Sequence, residues 1–268
     1  MKVLDVYNKE DLNLITYGGK DLSYLVDDFF SKFPESYREN YDKNIETLEI
    51  YRVDEMLDSN DSADYFPVSN VLMFKSFAGL PHELMHAASC DRENEKTAFC
   101  HAGMYALVEN ALYEGMTEFL SCALKNGLPD TYFFEYFTVS MLSDIEGIFE
   151  PYFIPSYNKF VSLFPNKRDI ISLMYGLDGY QKFVTQLTDE SSETEILRVD
   201  DAVKSVIDNL IDIELSFEHD KKTKKLYGEK FMDLIVNPDL RGLIEDVSPE
   251  YVDYAFHEVK KRILRRRR

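Results

Sequence analysis

Gly79-Leu80-Pro81-His82-Glu83-Leu84-Met85-His86-Ala87-Ala88-Ser89-Cys90 is the stretch at which this chain changes character. Proline suits the first turn of a helix, where its missing N–H would have no partner anyway. The pattern predicts a helix from Pro81 through Cys90. Before it, strand and helix signals alternate; after it, helices follow one another with short breaks. The fold class read from this is α+β, with a small N-terminal mixed α/β sheet subdomain followed by a mainly helical region.

Working outward, residues 1–7 and 45–53 are rich in Val, Ile, Leu and Tyr and short enough to be strands. Between them Leu22, Leu25, Val26, Phe29, Phe30 and Phe33 recur at helical spacing until Pro34. Residues 54–64 are acidic, with Ser and Asn interspersed, and read as a surface loop. Residues 68–77 look extended. On the other side, residues 91–96 read as a charged connection before a second long helix over about residues 99–124. Asn126-Gly127-Leu128-Pro129 stops that helix. Further helical patterns fall at 132–149, 167–176, 180–187 and 193–217. A final helix opens at Ser248-Pro249-Glu250. The organisation expected is an N-terminal and active-site region, residues 1–126, and a helical C-terminal region with a basic tail, residues 127–268.

His82-Glu83-Leu84-Met85-His86 is an HExxH sequence. Residues four apart lie on one helical face, so both imidazoles can present a nitrogen to a single metal. Glu83 sits at the edge of that face, beside an open coordination position, where it can take a proton from water. Zn2+ is the metal such a centre favours. The alternative is a pair of helical histidines hydrogen-bonded on a surface face.

A hydrolytic zinc needs a third protein ligand. Metzincins supply a histidine six residues after the motif; here that position is Arg92, and Ser89 replaces the glycine of that pattern, so this subclass is excluded. Downstream, Tyr113-Glu114-Gly115-Met116-Thr117-Glu118 places two acids four apart, the first 28 residues after His86. On residues alone these acids are also compatible with a solvated helix face. Over residues 79–123 the chain resembles the gluzincins, the thermolysin-like zinc metallopeptidases, and in wording their small bacterial members. The resemblance implies Glu114 as third metal ligand and Glu118 as the partner behind a ligand histidine. It also implies an oxyanion donor, and Tyr105, nine residues before Glu114, stands near the position of the family's tyrosine. Tyr132 is an alternative donor. His219 and His257 lie in charged helical contexts and read as surface histidines, and no spacing rule makes His101 a ligand. By analogy with gluzincin architecture, residues 70–74 are expected to form a sheet edge that accepts a peptide as an added strand.

The formal net charge is −19. So acidic a surface repels phosphates, and no nucleic-acid partner is expected. The exception is residues 260–268, in which seven of nine are Lys or Arg; they read as a solvated tail or a docking element for an acidic partner or membrane. Cys90, Cys100 and Cys122 are too few for a disulfide framework and read as buried thiols, with a regulatory thiol near the metal as the alternative. No apolar run reaches about 18 residues and residues 1–10 lack a signal-peptide core, so a cytoplasmic protein without a transmembrane segment is expected. The function expected is zinc-dependent hydrolysis of a peptide or protein substrate. The alternatives are a catalytically inactive metallopeptidase-like binding module and a helical interaction protein.

Overall fold

Tyr41, Asn44 and Ile45 fall at helical spacing, and all three are buried. They close a short helix just where the sequence pattern suggested a strand beginning at residue 45, so the strand starts only at Glu49. The computed structural model describes residues 13–17, 23–56, 62–100, 111–129, 131–187, 191–236 and 250–264. Over these the chain is α+β, and it divides into two units. The predicted strand over residues 1–7 lies outside the described residues.

The first unit comprises Met1–Leu107, Thr117–Gly127 and Phe149–Tyr157. In it β1 (Asn13–Tyr17), β2 (Glu49–Arg52), β3 (Ala63–Phe66) and β4 (Val71–Phe74) form one mixed sheet in the order β1-β2-β4-β3. β2 and β4 run parallel, and the other two pairs are antiparallel. All four residues of β4 are apolar and buried. A run without alternation is what a strand covered on both faces requires. It is therefore interior, flanked by β2 and β3. This corrects the expectation that residues 70–74 form a peptide-accepting edge: among the described residues, β1 and β3 are the outer strands.

Helix α2 (Glu39–Ile45) packs against α3 (Leu80–Ala88), the helix of the HExxH sequence, and α3 packs on β3, while α1 (Ser23–Phe30) brings Phe29 and Phe30 to Phe153. The rings of Phe29, Phe30, Phe33 and Tyr37 gather around Phe153, with centroids 5.3–6.5 Å from it. Such pairs each add about 0.5–1.5 kcal/mol beyond the area they bury. The predicted connection over 91–96 contains a small hairpin, β5 (Cys90–Asp91) against β6 (Lys96–Thr97).

The second unit comprises Val108–Met116, Leu128–Ile148 and Asn158–Arg268. The division of the chain passes through α4 (Ala111–Lys125), which is one uninterrupted helix. Next come α5 (Phe133–Leu142), α6 (Glu150–Phe153, in the first unit), α7 (Tyr157–Ser162) and α8 (Lys167–Val184). After them run α9 (Glu193–Ser216), α10 (Lys221–Val236) and α11 (Glu250–Val259). The two patterns read at 167–176 and 180–187 belong to the single helix α8. Its buried stripe Ile170, Leu173, Leu177 and Tyr180 continues past Gly176. α5 is buried on nearly all sides, as a helix apolar all round must be. Phe134 packs on Tyr180 at 4.6 Å and Phe137 on Phe231 at 5.4 Å. α9 begins with a reciprocal cap, Ser192 with Glu195. No helix among the described residues is long and apolar enough to cross a membrane.

Candidate metal centre

α3 starts at Leu80 after Gly79, and that glycine is required by close approach. A Cβ there would sit 2.5 Å from Ser62 Oγ and 2.8 Å from Ala63 Cβ, at the start of β3. The helix presents His82 and His86 one turn apart, their ring centroids 4.7 Å from each other at an interplanar angle of 71°. Glu83 beside them is buried, with 8% of its surface exposed.

α4 supplies the acids. Glu118 is buried, and its Oε2 lies 2.8 Å from His82 Nδ1. A carboxylate can only accept, so the ring donates from Nδ1, and Nε2 is the nitrogen that would bind a metal. The Glu118 carboxylate is held by its own helix as well. The Cys122 thiol donates to Oε1 at 3.4 Å, Lys125 Nζ lies 3.7 Å from that oxygen, and the Ser121 hydroxyl approaches Oε2 at 3.4 Å. One turn earlier on α4 stands Glu114. Among the described residues, His82, His86 and Glu114 each offer one ligand atom, and these atoms all lie within 4.8 Å of one another. Two imidazoles and a carboxylate at that separation fit a four-coordinate ion with one position left over.

Gly115, next to Glu114, lets α5 approach. A Cβ at this position would meet the Glu135 carbonyl carbon and oxygen at 2.6 Å. Burial pushes the Glu135 carboxyl up to about 7; its own backbone N–H opposes that and the Glu114 charge adds to it. The first described amide of α4, that of Ala111, donates to Asp178 Oδ1 at 2.9 Å.

Tyr105 and His101 lie outside the described residues, as do Arg265 to Arg268 of the basic tail. Tyr132 precedes α5 with a left-handed backbone, φ 51°. His219 is stacked on Phe217 and lies 3.6 Å from Glu214, while His257 is two-thirds exposed on α11. Arg262, the third residue of the basic tail, is bound by Asp208 and Asp212 of α9. None of the three cysteines is in a disulfide. Burial pushes the Cys90 thiol up to about 11, so it is a poor nucleophile at neutral pH. Sequence reasoning passed over the Glu118 contacts of Cys122 and Lys125. Their spacing of four and seven residues from Glu118 was the signal that puts all three on one face of α4.

No known protein family, curated protein or solved structure matches this chain.

Proposed function

We propose that this chain is a zinc-dependent peptidase of the gluzincin type, in which His82, His86 and Glu114 hold the ion and Glu83 is the general base. One observation carries the reading: the ligand atoms of these three residues lie within 4.8 Å of one another while Glu118 backs His82 at 2.8 Å. A structural pair of His82 and Glu118 has no need of Glu114 one turn earlier on α4, nor of Glu83 at the edge of the histidine face. A bound zinc ion would supply Lewis acidity toward a water and a peptide carbonyl.

The protein's own groups do the rest. Glu118 fixes the tautomer and orientation of His82 and keeps its ring electron-rich. Glu83 receives the proton that the attacking water gives up and passes it to the departing amine, so that both the bond-forming and the bond-breaking steps have a partner. The family resemblance assigns Tyr105 to the developing oxyanion. The substrate class is a peptide or protein, the compartment the cytoplasm, and the partner of the basic tail an acidic surface.

Cleavage of an unbiased peptide library by wild type and by Glu83→Gln tests this. Turnover by the wild type, lost in Glu83→Gln with metal retained, supports the assignment. Metal binding with no cleavage of any peptide by either protein replaces it with a metallopeptidase-like binding module.

A further inference from the structure

α3 carries both histidines, and it is held at each end by other parts of the first unit. At its start the chain runs against Ser62 and Ala63 across Gly79. At its finish the Asn44 side-chain nitrogen, reaching over from α2, donates to the carbonyls of Ala87 and Cys90, each at 2.7 Å. Both N–H groups of the carboxamide are thereby used. Asn44 is 4% exposed, and its backbone carbonyl accepts from Asn70 Nδ2 at 2.8 Å. Asn70, just ahead of β4, is 1% exposed; its side-chain oxygen accepts from the Tyr65 hydroxyl of β3 at 2.9 Å. A line of buried hydrogen bonds therefore runs from the sheet through α2 to the last turn of α3.

The carbonyls at a helix C-terminus have no partner inside the helix. Asn44 satisfies one of them, that of Ala87, and with the same side chain holds the carbonyl of Cys90, two residues beyond the helix in β5. Attachment to the last turn and to the chain that leaves it restrains the rotation of the helix about its axis and its position along it. His86 directly precedes Ala87, and its own carbonyl accepts from the Ser89 hydroxyl at 2.9 Å. A metal site tolerates only about 0.5 Å of error in its ligands, and rotation of α3 moves both imidazoles at once.

We propose that Asn44 is a positioning residue of the metal centre, orienting α3 so that His82 and His86 converge on the point that Glu114 also reaches. The assignment rests on the reading of those three residues as ligands. It is tested by titrating metal-free protein with Co2+, following both affinity and the visible absorption of the bound ion. Wild type, Asn44→Ala, Asn44→Ser and a control, Val206→Ala in the buried stripe of α9, are compared at temperatures well below each Tm. Both Asn44 variants should fold, bind Co2+ about tenfold or more weakly and show an altered spectrum. Asn44→Ser, which keeps one donor, should fall between alanine and wild type. Val206→Ala should lose thermal stability with affinity and spectrum intact. Wild-type binding by the Asn44 variants overturns this inference alone. So does equal weakening by Val206→Ala, or failure of both Asn44 variants to fold, since Asn44 is then only structural. Absence of Co2+ binding by the wild type overturns the metal reading itself.

Discussion

Glu118 on α4 accepts a hydrogen bond from His82 on α3 at 2.8 Å, joining residues 36 apart in the chain. That contact ties the histidine face to the acidic face and turns two helical patterns into one centre. Replacing Glu118 by alanine should weaken metal binding by about 10–100-fold, as loss of such outer partners generally does. Glu118→Gln keeps an oxygen for the Nδ1–H and should retain much of the affinity. A metal titration of the two variants checks this; equal affinity in all three proteins would show that the contact does not support a metal.

Gly115→Ala tests the approach of α4 and α5. An alanine in a helix interior is ordinarily better than glycine by about 1 kcal/mol. Here the added Cβ meets backbone atoms of Glu135 at 2.6 Å, and backbone in a buried helix cannot swing aside as a side-chain tip can. The collision wins, and a net loss of about 1–3 kcal/mol is expected. A urea midpoint lowered at unchanged slope is the expected readout, whereas a raised midpoint would mean the helices separate without cost.

Much of this arrangement was legible in the sequence, and for identifiable reasons. His82 with His86 and Glu114 with Glu118 are each four apart, so each pair shares a helical face wherever the helix goes. The longer helices announced themselves by sustained apolar stripes, as α9 did. Short elements did not. β3 hid inside an acidic stretch because only Tyr65 of its residues is buried, and α2 hid because three buried positions make too short a pattern. The four apolar residues of β4 were visible, but uniform burial makes an interior strand, and the edge role assigned to them needed the neighbours β2 and β3 to be known. Asn44 carried no signal at all, since its partners Ala87 and Cys90 lie more than forty residues away.

The corner between α9 and α10 predicts a pH dependence of stability. Burial pushes the Glu214 carboxyl up from 4.5 to about 7, with Lys224 opposing and Asp144 adding to the shift. Its Oε1 is buried without a hydrogen-bond partner, and His219 lies 3.6 Å from the other oxygen. The folded state thus holds this proton more tightly than the unfolded chain. The stability this group contributes is fully present below pH 4.5 and is lost as pH rises toward 7. Glu214→Gln should therefore gain on the wild type as pH is raised from 5 to 8, measured by chemical denaturation at each pH. A difference between the two that stays constant with pH contradicts this.

Phe153 anchors the aromatic cluster of the first unit, fully buried among Phe29, Phe30, Phe33 and Tyr37. Phe153→Ala should cost about 3–5 kcal/mol, and Asn40, whose side chain donates to the Phe153 carbonyl at 2.9 Å, keeps that backbone from collapsing into the space. Thermal denaturation of the variant gives the magnitude; a loss below about 1 kcal/mol would mean the cluster repacks freely.

In the proposed centre His82, His86 and Glu114 together hold one zinc ion. Metal analysis of the purified protein beside its His82→Ala and Glu114→Ala variants tests it most directly. About one zinc per chain is expected in the wild type, with loss of most of it in both variants. Zinc undiminished in Glu114→Ala, or absent from the wild type, would contradict it.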